Sequence, residues 1–365
     1  MDALVLHEFH RKAGARFLDL SGREAARDYG DAPAEYRALR ESAGLLDLSF
    51  RGRLCVLGAD RLAFLNGQVT NNVKDLKSGQ GCYAALVTAK GKMQSDLHIY
   101  CLENELLLDF EPGFSAVVRA RLEKYIIAED AQVADAAPHY GLLSAQGPRA
   151  AALLESLSLP RPQKSLAAAR MDDPALGEIY VINQPRIGTS GFDLFVPTGA
   201  LPAAAEKVLT AARAAGGRLC GWAALETARI EAGRPRFGAD MDATNLPAEA
   251  GLDDRAVSYS KGCYIGQEVI ARLRTYGRPA KVLRGLRLPD DLAALPARGD
   301  KLFLGAREAG YVTSATASPL LRANIALAYV RREANQIGTE LLLETGGIRI
   351  PARIVDLPFA APGPA

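Results

Sequence analysis

Short apolar runs closed by glycine or proline dominate the first third of the chain. Arg53-Leu-Cys-Val-Leu57 predicts a strand that Gly58 ends, and Asp60 stands as N-cap of a helix carrying Leu62, Leu65 and Val69 on one side. Residues 81–88 predict a second strand, 89–92 a turn, and 95–102 a returning strand. A further strand covers 105–110, and Pro112-Gly113 breaks it. Val118, Leu122, Tyr125 and Ile126 recur at helical spacing over 115–127. The first fifty residues carry only short helical and turn signals, ending at Leu45-Leu-Asp-Leu-Ser49.

The same order partly returns. Glu178-Ile-Tyr-Val-Ile182 and Phe192-Asp-Leu-Phe-Val196 predict a hairpin. A helix bearing Leu201, Ala205, Val208, Leu209 and Ala212 follows, stopped at Gly216-Gly217. From Val282 onward the texture changes to short strands with frequent Gly and Pro, which predicts a small β-barrel. The pattern therefore predicts an α+β fold: two related α+β units, with segments free to interleave, over 1–278, and a β-barrel domain over 279–360. The tail 360–365 is expected to fray.

Composition changes this picture little but excludes several classes. The 365 residues are 48% hydrophobic and 24% charged, with a formal net charge of +2. That is ordinary globular composition, and the weak charge argues against nucleic acid as a partner. No apolar run reaches the roughly 20 residues of a membrane helix, and the first residues lack a secretory pattern. A cytoplasmic protein with no membrane partner is expected. The cysteines at 55, 82, 101, 220 and 263 are odd in number and widely spaced, which suits reduced thiols. No cluster with metal-ligand spacing stands out, so no metal is expected.

Cys263 draws attention first among candidate functional residues. It lies between Gly262 and Gly266, ahead of a helix expected from Gln267 to about Leu273, with Lys261 two residues away. A helix N-terminus and a nearby ammonium both favour thiolate. A small buried hydrophobe in a tight turn is the plainer alternative.

The full segment, Lys261-Gly262-Cys263-Tyr264-Ile265-Gly266-Gln267-Glu268, resembles the K-G-C-Y-x-G-Q-E signature of YgfZ-type folate-binding proteins, a branch of the glycine-cleavage T-protein superfamily. The resemblance runs from about His7 to Ile354. It includes Phe64–Asn72, the R-I-E-A-G stretch at 229–233, Asn245–Glu249, Gly310–Ser314 and Ser318-Pro319. It implies a ring of two ferredoxin-like α+β subdomains and a C-terminal barrel, binding tetrahydrofolate or a one-carbon derivative. It also implies that Tyr83 stacks beside the pterin, Arg229 meets the carboxylate tail, Asp193 keeps a binding acid, and Asp96 keeps a catalytic one. The signature residues around Cys263 would support that thiol. An exposed strand-edge charge is the plainer reading of Asp96, and an ion pair to Glu226 or Glu231 that of Arg229.

Two departures stand out. Where T-proteins carry paired aspartates, this chain has Ser95-Asp96; where they carry a pterin-holding glutamate, it has Thr189. A serine cannot hold a proton as a carboxylate does. These losses shift the expectation from aminomethyl transfer towards an accessory protein for assembly or repair of iron–sulfur enzymes, with client enzymes or assembly proteins as partners. A folate-dependent aminomethyltransferase or demethylase using Asp96 is the alternative. A basic run, Arg272, Arg274, Arg278, Lys281, Arg284 and Arg287, suits a solvated face or an acidic partner.

Overall fold

The computed structural model describes residues 1–359. Compactness divides the chain into two units whose segments interleave: Met1–Leu86 with Ser95–Glu226, and Val87–Gln94 with the chain from Thr227 onward.

The first unit holds two larger sheets. One has five strands in the order Gln80–Val87, Met93–Cys101, Leu106–Phe110, Gly52–Leu57 and Gln132–Asp135. Leu54, Val56, Ala84, Leu86, Leu97, Ile99, Leu106 and Leu108 point from it into one apolar core, with Phe64 and Leu65 of the helix Arg61–Gln68 and Val118 and Leu122 of Ser115–Glu123. The other has six strands, in the order Ala168–Asp173, Gly177–Asn183, Gly191–Pro197, Tyr140–Gln146, Gly44–Asp47 and Arg218–Leu219. Its core residues, among them Leu143, Val181, Phe192 and Leu194, pack on the helix Leu201–Ala214 through Leu201, Ala205, Val208, Leu209 and Ala212.

Alternation along a strand sends neighbouring side chains to opposite faces. Each sheet thus keeps a second face, turned away from its helices. In the first sheet that face carries Tyr83, Asp96, His98, Tyr100 and Asp109; in the second it carries Ser144, Gln146, Asp193 and Phe195. Tyr100 meets Phe195 ring to ring at 6.0 Å, so these two faces touch within the unit.

The predicted elements are present, with instructive differences. Asp60 is the N-cap of its helix but does not cap it through its side chain; its Oδ2 accepts the amide of Asp130 instead, at 2.9 Å. The strands Arg16–Leu20 and Arg23–Asp28 escaped the sequence pattern, because Arg-Glu-Ala-Ala-Arg-Asp contains no β-branched or aromatic residue. Pairing with each other holds them, from Leu20 opposite Arg23 to Arg16 opposite Asp28.

In the second unit, six strands between Lys281 and Val355 close into a barrel around Leu286, Leu302, Val312, Ala328, Leu343 and Ile354. The helix after the cysteine segment runs Gln267–Tyr276, a turn longer than the expected end near Leu273. No helix among the described residues is long and apolar enough to cross a membrane. The expected fraying at 360–365 lies outside the described residues.

Candidate functional site

Asp96 sits in the strand Met93–Cys101, on the face away from the helices, and is only 8% exposed. This excludes the exposed strand-edge reading. Tyr83, from the adjacent strand, donates its hydroxyl to Asp96 Oδ2 at 2.7 Å, while Oδ1 is buried with no hydrogen-bond partner. Burial pushes the Asp96 carboxyl up to about 6; the nearby Glu111 charge pushes the same way, and the Tyr83 hydroxyl and Arg51 pull against them. A carboxyl of that strength exchanges protons near neutral pH. Of the Ser95-Asp96 pair, the remaining acid is buried and its carboxyl is raised.

The Tyr83 ring lies 4.8 Å from the His98 ring, at 30° between planes. One surface expected for a ligand ring is thus used by a protein side chain two residues along from Asp96. Tyr83 is itself 7% exposed, so its observed part is to hold the carboxyl and pack on the imidazole.

Behind this pair runs a buried ionic chain that the sequence reading missed. His98 Nδ1 lies 3.7 Å from Asp109 Oδ2, and Arg51 donates through Nε to Asp109 Oδ1 at 2.7 Å and through Nη1 to Glu111 Oε1 at 2.5 Å. Arg186 bridges the sheets, donating through Nη2 to Asp109 at 2.8 Å and to Asp193 at 2.5 Å. Ser144 also donates to Asp193, at 2.7 Å. The two guanidiniums hold Asp109 well below the usual carboxylate range, although burial opposes them. Burial pushes Asp193 up and the Asp109 charge adds to this, while Arg186 and Ser144 pull against them.

Asp193, expected as a ligand-binding acid, is engaged by protein partners in this structure. It is fully buried, and Arg186 and Ser144 occupy its oxygens, so its place is in the seam between the sheets. Thr189, which stands for the missing glutamate, lies half-buried in the hairpin turn before it, and its Oγ1 is buried without a partner. Part of the ionic chain was readable: Asp109 is the lone charge in Leu-Leu-Leu-Asp-Phe, and Asp96, His98 and Tyr100 share a strand face by period two. Arg186 had no local signal, since it lies in a loop.

Arg229 lies in the last turn of the helix Trp222–Glu231, is 5% exposed, and pairs with Asp240. It donates further to Ser314 Oγ at 2.7 Å and to the Arg234 carbonyl at 3.2 Å. Thr313 and Ser314 donate to the other Asp240 oxygen, at 2.6 and 2.7 Å. The R-I-E-A-G and Gly310–Ser314 stretches are thus tied by one buried aspartate. One carboxylate partner is Asp240, reached through the turn after the helix.

Cys263 is exposed, in a loop ahead of Gln267–Tyr276, whereas Cys55, Cys101 and Cys220 are buried and Cys82 is half-buried. The buried-hydrophobe alternative therefore fails for Cys263. The Lys261 ammonium lies 4.9 Å from the centre of the Tyr264 ring, and Tyr264 is buried. Gly266 has φ +87°, and a Cβ there would lie 2.5 Å from the Thr88 carbonyl, which explains the glycine. Gly262 faces open space, Glu268 is exposed and accepts from Arg272 at 2.8 Å, and the Gln267 amide donates to the Tyr264 carbonyl at 3.2 Å. The segment holds its shape through Tyr264 and Gly266, and presents the thiol outward. Of the basic run, Arg274 stacks on Tyr259, Lys281 on Tyr311 and Tyr329, and Arg284 donates to the Asn335 carbonyl. These members of the run are dispersed over several separate contacts.

The family model for the GCVT N-terminal domain matches residues 6–261, and that for the glycine cleavage T-protein C-terminal barrel domain matches 281–360. An aminomethyltransferase of Shouchella clausii is 31% identical over 360 residues, covering 97% of this chain and 96% of that protein. One from Geobacillus thermodenitrificans is 30% identical over 361 residues, covering 97% of each. The crystal structure of glycine cleavage system aminomethyltransferase T from Bartonella henselae superimposes with a TM-score of 0.89 at 28% identity, covering 99% of this chain and 98% of that one.

Proposed function

From the premise that this chain belongs to the glycine cleavage T-protein family, we propose that it is a folate-dependent aminomethyltransferase or a close relative in one-carbon transfer, with Asp96 as its working acid. The observation that carries this reading is the bare, buried Oδ1 of Asp96 beside the Tyr83 hydroxyl. Such an oxygen costs folding free energy unless something else meets it, and the N–H edge of a pterin is a fitting donor. The Thr189 hydroxyl, also buried and unmet, offers a second neutral contact where a glutamate would have stood. Bound tetrahydrofolate would supply the amine nitrogens that accept a one-carbon unit. Asp96 would orient that molecule and hold or release a proton near neutrality, while Tyr83 fixes the carboxyl and Arg51 and Glu111 set its strength.

The names of the relatives favour this reading over the accessory role that Ser95 and Thr189 first suggested. One observation keeps the second reading in view: the YgfZ-type segment presents Cys263 to solvent. Under it, the protein supports iron–sulfur enzymes through that thiol, in the cytoplasm, with folate bound.

The deciding experiment measures methylene-tetrahydrofolate formed from an aminomethylated lipoyl protein. Product from wild type and its loss in Asp96→Asn support transfer. No product, together with failure of Cys263→Ala to restore iron–sulfur enzyme activity in a deletion strain, would move the assignment to the accessory role.

A further inference from the structure

The second unit contains a cavity of about 440 Å³ lined by Lys92, Lys281, Tyr311, Tyr329, Glu249 and Glu308, among others. Its size falls in the range of small-molecule sites, about 300–1,000 Å³. Tyr329, in the strand Ala323–Arg331, is 1% exposed, yet its hydroxyl has no hydrogen-bond partner. Burial pushes that phenol far above its ordinary range, so it stays protonated and remains a donor in want of an acceptor. Lys281 donates to the Tyr311 hydroxyl at 2.8 Å and lies 4.7 Å from the Tyr329 ring centre and 5.1 Å from that of Tyr311. An ammonium has three donors, so this contact leaves it capacity for another acceptor.

The remaining walls carry both signs. Lys92 and Arg331 add positive charge; Glu249, Glu308 and Glu333 add negative. Lys92 donates to the Thr244 carbonyl at 2.6 Å, Glu308 is met by Lys301 at 3.3 Å and Arg331 at 3.8 Å, and Glu333 by Arg307 at 3.1 Å. Glu249 accepts the Leu246 amide at 3.0 Å and is 6% exposed. A simple anion would face three carboxylates there, and a simple cation three basic groups. A molecule carrying both charges avoids each penalty.

We propose that this cavity is a second ligand site, taking a small zwitterionic amino acid. Lys281 and the Tyr329 hydroxyl receive its carboxylate, the acidic wall receives its ammonium, and the paired tyrosine rings receive its apolar part. The site is independent of the folate reading, because every residue named lies in the second unit and Asp96 does not.

The test is calorimetric titration of the full chain with glycine and with glutamate, using acetate and methylammonium as single-charge controls. The amino acid should bind at least about tenfold more tightly than either control, and Tyr329→Phe should weaken it by about tenfold without lowering the melting temperature. Lys281→Met should weaken it as well, and Asp96→Asn should leave it unchanged. Binding by Tyr329→Phe equal to wild type, acetate binding as well as the amino acid, or no binding of either amino acid overturns the proposal.

Discussion

Asp96 and the Arg51–Asp109–Arg186–Asp193 chain occupy facing sides of the same two sheets, and both bury carboxylates almost completely. They differ in how the oxygens are met. Asp109 and Asp193 are clasped by guanidiniums at 2.5–3.2 Å, whereas Asp96 has one phenol on Oδ2 and nothing on Oδ1. A fully met buried acid fixes structure, because removing its partner strands a charge. A partly met one has capacity left for a substrate. The contrast separates two acids that the family resemblance had placed together: Asp193 is met by protein partners, and Asp96, the acid proposed for the chemistry, keeps an oxygen free of them.

The strongest way to break this contrast is to remove the bridge. Arg186→Ala leaves Asp109 and Asp193 without their shared cation and should cost about 3–5 kcal/mol, read by denaturant unfolding. A loss below about 1 kcal/mol would mean the chain is not the frame described, because that is what an exposed pair costs.

Asp96→Asn should do the opposite. The folded carboxyl titrates near 6, above the roughly 3.9 of an unfolded aspartate, so the folded state holds the proton between those values. Stability contributed by that proton is full below pH about 4 and is lost as pH rises towards 6. At pH 7.5 the wild type therefore carries a penalty that Asp96→Asn lacks, and the variant should be more stable by roughly 1–3 kcal/mol while losing transfer activity. Equal or lower stability of the variant at pH 7.5 would contradict the assignment.

Tyr83→Phe sharpens the comparison on a smaller scale. The Tyr83 hydroxyl stabilises the ionised carboxyl, so its removal should shift the acidic limb of the pH–rate profile upward and lower the rate near pH 6 by about tenfold. An unmoved limb would show that the phenol does not tune Asp96. Smallest of all, Cys263→Ser should change stability by less than about 0.5 kcal/mol, since the side chain is exposed. Transfer activity should also hold; a large loss would instead favour the thiol-centred role.

Much of the fold was legible because strand alternation and helix spacing are local. The returning strand through Leu97 and Ile99 and the helix through Leu201, Val208 and Leu209 show this directly. Arg23–Asp28 was not, because pairing with Arg16–Leu20 and with Asp2, and not its own composition, makes it extended. The site divides the same way. Asp96 and Tyr83 could be named from sequence, but the strength of Asp96 depends on its burial and then on Glu111 and Arg51, which only the folded chain brings near. Arg229 was visible and its bond to Asp240 was not, for Asp240 reaches it through the turn that follows the helix. A charged residue's motif can thus be read from sequence, while the number of its oxygens or donors already taken depends on tertiary contacts.

The most direct test is the titration of Asp96 itself, followed by carbon NMR of the aspartate carboxyls with Asp96→Asn used to assign the signal. A midpoint near 6 is predicted for the free protein. A midpoint at or below about 4, the ordinary aspartate range, would mean Asp96 is solvated or already paired, and the account of this site would fall.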